Sequence, residues 1–206
     1  MTDDAGIGPP AWPVSASQRA LLTAAFRLIL DTGTAAAPSQ LAAETGLADS
    51  SVRADLAELA AAGRVRLADT GEVQGSLGLT VIRTRHEVRV GQAAGHTWCA
   101  LDAVGILGAL ASDGRIDSAN GVTGTRFGID FTAGLPTGHD QSWVLFVAAN
   151  REVTSVIDQW CPLVNFFEDA VTASSWAARY GVVGQCLTIE EATRFGSGLW
   201  REALGI

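Results

Sequence analysis

The sequence predicts an α+β chain: an N-terminal winged-helix-like domain followed by a mainly antiparallel sheet domain with helices. Three observations carry that expectation. Helical periodicity over the first sixty residues gives way to short alternating segments. Beyond residue 96, helix-length apolar runs are mixed with strand-length ones. Residues 115–133 alternate with Gly and Thr punctuation, as an antiparallel hairpin does.

The elements follow in order. Residues 1–16 read as a flexible, Pro- and Gly-rich leader, and the acids in MTDDAGIGPPAW are unlike the basic start of a signal peptide. Residues 16–32 place Leu21, Leu22, Ala25, Leu28 and Ile29 at helical spacing. A short helix from Pro38 closes at Gly46, and Asp49 or Ser50 is placed to cap a further helix ending near Gly63. Val52, Leu56 and Leu59 form its inner face. Arg64 to Leu67 alternates like a strand, Asp69-Thr70-Gly71 turns, and Leu77 to Val90 continues as strand-like segments. Helix, helix, turn, helix, hairpin is the winged-helix plan, assigned to residues 17–85.

Residues 86–206 are then the α+β catalytic domain. The apolar stretch Ala100–Ala111 reads as a helix starting at or just after Cys99. Trp143–Ala149 reads as a buried strand, Cys161–Phe167 as another, and Thr172–Tyr180 and Ile189–Leu204 as helices.

Composition narrows the function. Of 206 residues 48% are hydrophobic and 17% charged, a globular balance. No apolar run reaches the roughly 18 residues a bilayer span needs, and the expected location is cytoplasmic, with no membrane partner. The net charge of −8 speaks against nucleic acid, whose binding draws on neutralised phosphates. The prospective reading helix agrees, offering only Arg53 against Asp55 and Glu58. Three cysteines are too few, and odd in number, for a disulfide framework; in a reducing cytosol they are free thiols.

Those thiols are the candidate chemistry. Cys99-Ala100-Leu101-Asp102 puts thiol and carboxyl on one helical face, and a helix N-terminus favours a thiolate. On this unit alone a structural role is the better reading, because buried cysteines are common and an acid in the first helical turn is ordinary dipole compensation. Cys99 and Cys161 each follow a tryptophan, Trp98 and Trp160, whereas Cys186 has no such neighbour and reads as core. His86, His96 and His139 lack metal-ligand spacing, there is no C-x-x-C pair, and the glycine-rich segment 71–78 lacks the Lys-Ser/Thr of a P-loop and fits the wing.

Trp98-Cys99-Ala100-Leu101-Asp102, Trp160-Cys161 with Asn165-Phe166-Phe167, Ser175-Trp176-Ala177, Glu191-Ala192 through Phe195-Gly196, and Gly75–Thr80 stand in one order. In this the chain resembles the organomercurial (alkylmercury) lyases over roughly residues 20–205. The resemblance implies catalytic Cys99 and Cys161, which hold mercury as substrate and product, and a catalytic acid at Asp102. Trp98 and Trp160 become candidate walls of the substrate pocket. It implies no required cofactor, Hg(II) bound as product, and small thiols or a mercuric reductase as mercury acceptor. Two departures stand out: Pro162 where well-known members have a second cysteine, and Asn120 where they have a non-catalytic one. Two alternatives remain: a winged-helix soft-metal sensor, or a lyase-fold relative acting on another organometal or a biosynthetic substrate.

Overall fold

A computed structural model of the chain describes residues 6–10 and 13–206. Of the expected leader, residues 1–5, 11 and 12 lie outside the described residues. Its described part lies against the body: Ile7 bridges Ala149, and the Gly8 amide donates to the Ala148 carbonyl at 3.2 Å.

Three helices open the fold: α1 (Ala16–Thr32), α2 (Pro38–Thr45) and α3 (Asp49–Ala61). Ser15 and Gln18 form a reciprocal capping box that satisfies two otherwise orphaned amides of α1. Leu21, Ala25, Leu41, Val52, Leu56 and Leu59 are buried in the core with Phe26. The cap of α3 is Ala48, not Asp49 or Ser50; Asp49 lies inside the helix and pairs with Arg53 at 2.8 Å.

An eight-stranded antiparallel sheet comes next, built from β1 (Val65–Leu67), β2 (Val73–Ser76), β3 (Leu79–Thr80), β4 (Glu87–Val90), β5 (Ala93–Thr97), β6 (Gly114–Ala119), β7 (Arg126–Thr132) and β8 (Leu135–Gly138). Its spatial order is β1-β2-β3-β5-β4-β6-β7-β8. Because β3 pairs with β5, Leu79 opposite Thr97, the first hairpin is welded to the strands of the second half. A second sheet has β9 (Val144–Ala148) between β10 (Asn165–Phe167) and β11 (Gly184–Thr188). Both partners of β9 are antiparallel to it.

Helix α4 (Ala100–Ala109) runs between the sheets, touching β4, β5 and β6 on one side and β9 and β10 on the other. Its sequence ALDAVGILGA is apolar all round apart from Asp102, and every residue is buried, as that pattern demands. The last helix, α7 (Ile189–Leu204), crosses α4 closely. Glycines permit the approach: a Cβ at Gly105 would fall 2.6 Å from Trp200 Cε3, and one at Gly196 would fall 2.8 Å from Gly105 Cα.

Two further helices, α5 (Val156–Gln159) and α6 (Ala170–Tyr180), flank β10. The expected strand over 161–167 is only half present. Cys161–Leu163 forms a 3₁₀ turn and the strand starts at Asn165. Pro162 explains this, since it has no amide for a ladder and its fixed φ suits the start of a helical turn. Helix α5 and strands β8 and β11 are short and carry little periodicity, so the sequence does not separate them.

Gly105→Ala should destabilise the fold by about 1–3 kcal/mol through overpacking against Trp200, outweighing the helix-propensity gain. Urea unfolding measures this, and an unchanged midpoint would contradict the close crossing.

Candidate active site

Strand β5 delivers Cys99 to the first position before α4. Cys99 is the N-cap in extended conformation (φ −143°, ψ 175°), and its carbonyl accepts from the Thr97 hydroxyl at 3.0 Å. Asp102, at the third helical position, reaches back so that Oδ2 accepts from the Cys99 amide at 2.8 Å. One short bond therefore fixes the carboxyl beside the thiol and satisfies an orphaned helix amide.

Cys161 arrives on the 3₁₀ turn, 62 positions along the chain from Cys99 (161 − 99). The Ala100 amide donates to the Val164 carbonyl at 3.4 Å, tying the start of α4 to that turn. A second tie comes from Asn165, whose Nδ2 donates to the Pro162 carbonyl at 2.9 Å while its Oδ1 accepts from Arg85 Nη2 at 2.6 Å. Cys99, Asp102 and Cys161 are brought together: their sulfurs and a carboxylate oxygen all lie within 4.8 Å of one another, and all three residues are buried. Neither sulfur is in a disulfide. Two soft sulfurs and one carboxylate oxygen form a donor set for a thiophilic ion.

Burial governs the titration. It pushes the Cys99 thiol well above its ordinary value, helped by the hydrogen bond to Cys161 and the Asp102 charge. The thiolate-favouring helix N-terminus expected from sequence is overridden, because Cys99 is fully enclosed and Asp102 occupies its amide. Burial likewise drives the Asp102 carboxyl up to about 7, against the opposing hydrogen bonds from Cys99. For Cys161 the Cys99 hydrogen bond lowers the value, while burial and Asp102 raise it to a net upward shift. Arg64, whose own basicity burial depresses, faces Cys161 as a favourable charge.

A cavity of about 350 Å³ opens onto this cluster. Cys161, Asp102, Trp98, Trp160 and Trp200 line it, so both tryptophans singled out in the sequence reach its wall. Cys99 lies behind the wall with no exposed surface. Cys186 takes no part; it is half-buried on β11, opposite Phe146 of β9. His96 lines a separate hollow with Glu87. Asn120, at the other departure from the family pattern, sits in a turn bonded to Glu168. Sequence reasoning did not single out Arg64, Arg85, Asn165 or Trp200 for roles at the site. An isolated arginine or tryptophan carries no spacing signal, and only the tertiary fold brings them to the cluster.

The sequence profile of the alkylmercury lyase family matches residues 79–201, a span that contains all three clustered residues. No curated protein matches the chain in sequence. Among solved structures, the mercury-bound form of MerB2 superposes with a TM-score of 0.85 at 23% identity, covering 93% of each chain, a likeness of fold. It agrees with the mixed arrangement of helices and antiparallel sheets described above. Since the profile match spans more than half of its length, the chain belongs to the alkylmercury lyase family, enzymes that cleave carbon–mercury bonds.

Proposed function

We propose that this lyase cleaves organomercurials by protonolysis, with Cys161 and Cys99 as mercury ligands and Asp102 as the proton carrier. The observation that carries the assignment is the convergence of two reduced thiols and one carboxyl within 4.8 Å at the floor of a largely apolar cavity. The substrate, R–Hg⁺ carried on a small thiol, enters beside Trp98 and Trp160. Cys161 meets it first, because it lines the cavity and Cys99 does not. Its ionisation is also the easier of the two, since Cys99 acts as a hydrogen-bond partner that lowers its pKa.

The steps balance in protons and electron pairs. Cys161 displaces the carrier thiol, which leaves with the Cys161 proton. Asp102 takes the Cys99 proton, and the Cys99 thiolate adds to mercury as second sulfur ligand. Donation from two thiolates places more electron density on the mercury-bound carbon, making it basic enough to be protonated. Asp102 then returns its proton to that carbon, the carbon–mercury electron pair becomes the C–H bond, and R–H departs. Mercuric ion stays bridged between Cys99 and Cys161 as product. A carboxyl with a pKa near 7 is suited to both halves, accepting from a thiol and giving to carbon.

No resident cofactor is needed for these steps, since mercury is substrate and product. The product leaves on small thiols or to a mercuric reductase, and the enzyme works in the cytoplasm. No helix among the described residues is long and apolar enough to cross a membrane. The element order α1–α3 then β1–β2 supports reading residues 17–85 as a winged-helix-like unit with a structural task, with 86–206 as the catalytic unit and 1–16 as leader.

With phenylmercuric acetate and excess thiol, wild type should release benzene. Asp102→Asn should bind mercury but lose at least about a hundredfold in turnover; Cys99→Ser should weaken both binding and turnover. Full benzene release by either variant would remove that residue from its role. A second expectation concerns stability. Asp102 titrates near 7 when folded and near 3.8 in its unperturbed state, so between those values the native chain holds a proton that the unfolded chain has lost. Its contribution is complete below about pH 4 and lost as pH rises through about 7. Asp102→Asn escapes that loss, and should gain about 2–4 kcal/mol on wild type between about pH 4 and pH 8 in urea unfolding.

A further inference from the structure

The turn joining β2 to β3 belongs to the glycine-rich segment that the sequence placed in a wing, yet it touches the reacting carboxyl. Leu77 and Gly78 both have positive φ, 45° and 84°. For Leu77, which carries a side chain, that conformation is costly and must be held by its surroundings. Three bonds hold it. The Ser76 hydroxyl donates to the Leu22 carbonyl of α1 at 2.9 Å. The Trp98 amide donates to the Gly78 carbonyl at 3.0 Å. The third comes from the far end of the chain: the Trp200 indole Nε1–H donates to the Leu77 carbonyl at 2.8 Å.

The held turn lies on Asp102. A Cβ at Gly78 would fall 2.4 Å from Asp102 Oδ1 and 2.5 Å from its Cγ, so backbone alone fits there. Oδ2 is already committed to the Cys99 amide, which leaves Oδ1 as the oxygen that the turn confines. Gly105, one helical turn beyond Asp102 on α4, makes room for the Trp200 ring, so the same helix carries the acid and the seat of the residue that pins its wall.

Resting on the reading of Asp102 as proton carrier, we propose that Trp200 is a positioning residue: its indole N–H fixes the Leu77–Gly78 turn, and that turn holds the Asp102 carboxyl in line with the mercury-bound carbon. In this proposal Trp200 carries no proton and holds no mercury. It acts on the proton-transfer step and leaves mercury capture to the two sulfurs.

The test compares Trp200→Phe, and Trp200 replaced by benzothienylalanine, with wild type and Asp102→Asn. Benzothienylalanine keeps the bicyclic ring and loses only the N–H, so it remains informative if phenylalanine disturbs packing. Phenylmercuric acetate turnover, mercuric ion affinity and the solvent deuterium isotope effect are measured for each. The expected result is a fall in kcat of about ten- to a hundredfold for loss of the N–H, with mercuric ion affinity unchanged and, in the ring-preserving benzothienylalanine variant, KM unchanged as well. The isotope effect should rise as proton transfer becomes limiting. If benzothienylalanine leaves kcat and the isotope effect at wild-type values while Asp102→Asn is inactive, Trp200 is structural only and the proposal fails by itself. If Asp102→Asn turns over like wild type, the proton-carrier reading falls and the proposal falls with it.

Discussion

The bond from the Cys99 amide to the Asp102 carboxylate is the contact around which the rest of the molecule is arranged. It places an acid inside a helix that is otherwise wholly apolar and enclosed between two sheets. Burying an ionisable group there is expensive unless it is hydrogen-bonded or neutral. The protein uses both routes: an amide at the helix start to receive one oxygen, and a pKa near 7 that keeps the proton within reach. On the proposed reading, chemistry and fold meet at the same few atoms, and the sheets, the 3₁₀ turn and α7 enclose them.

Placing the second sulfur needs a different device. The Cys161 turn is not held by a regular ladder; it is suspended from Ala100 by one backbone bond and from Arg85 through Asn165. Pro162 suits that role, since a strand there would carry Cys161 along a sheet edge and a 3₁₀ turn presents it to the cavity. The departure from the family pattern at this position is thus compatible with a formed site. The residue after the cysteine sets the shape of the turn, while the cysteine's own sulfur still meets Cys99 and Asp102.

How much of this the sequence disclosed depended on the kind of signal. Helices α1, α6 and α7 and the β6–β7 hairpin carry their periodicities openly, and each lies within two residues of its expected range. The Cys99–Asp102 unit was legible because an N-cap and its third helical residue are local. Cys161 is recognisable through its ordered resemblance, but the apolar run 161–167 has the length and content of a strand and conceals the turn that Pro162 imposes. Arg85 and Trp200 carried no such signal, and Asn165 stood in the ordered resemblance with no role attached to it. Their partners lie far away in the chain, 80 positions for Arg85 and Asn165 and 123 for Trp200 and Leu77, and no periodicity records such pairings.

That last separation has a meaning for the life of the molecule before it is an enzyme. The cavity wall is completed by Trp200 bonded to a turn made at residue 77, so nearly the whole chain must leave the ribosome before that wall is closed. Long-range closures of this kind are slow steps in folding. Cys99 and Cys161 precede Trp200 in the chain, so both are synthesised before the residue that completes the cavity wall. Under the proposed chemistry, a chain with both cysteines made and Trp200 still to come would meet thiophilic ions without the finished cavity that governs their binding.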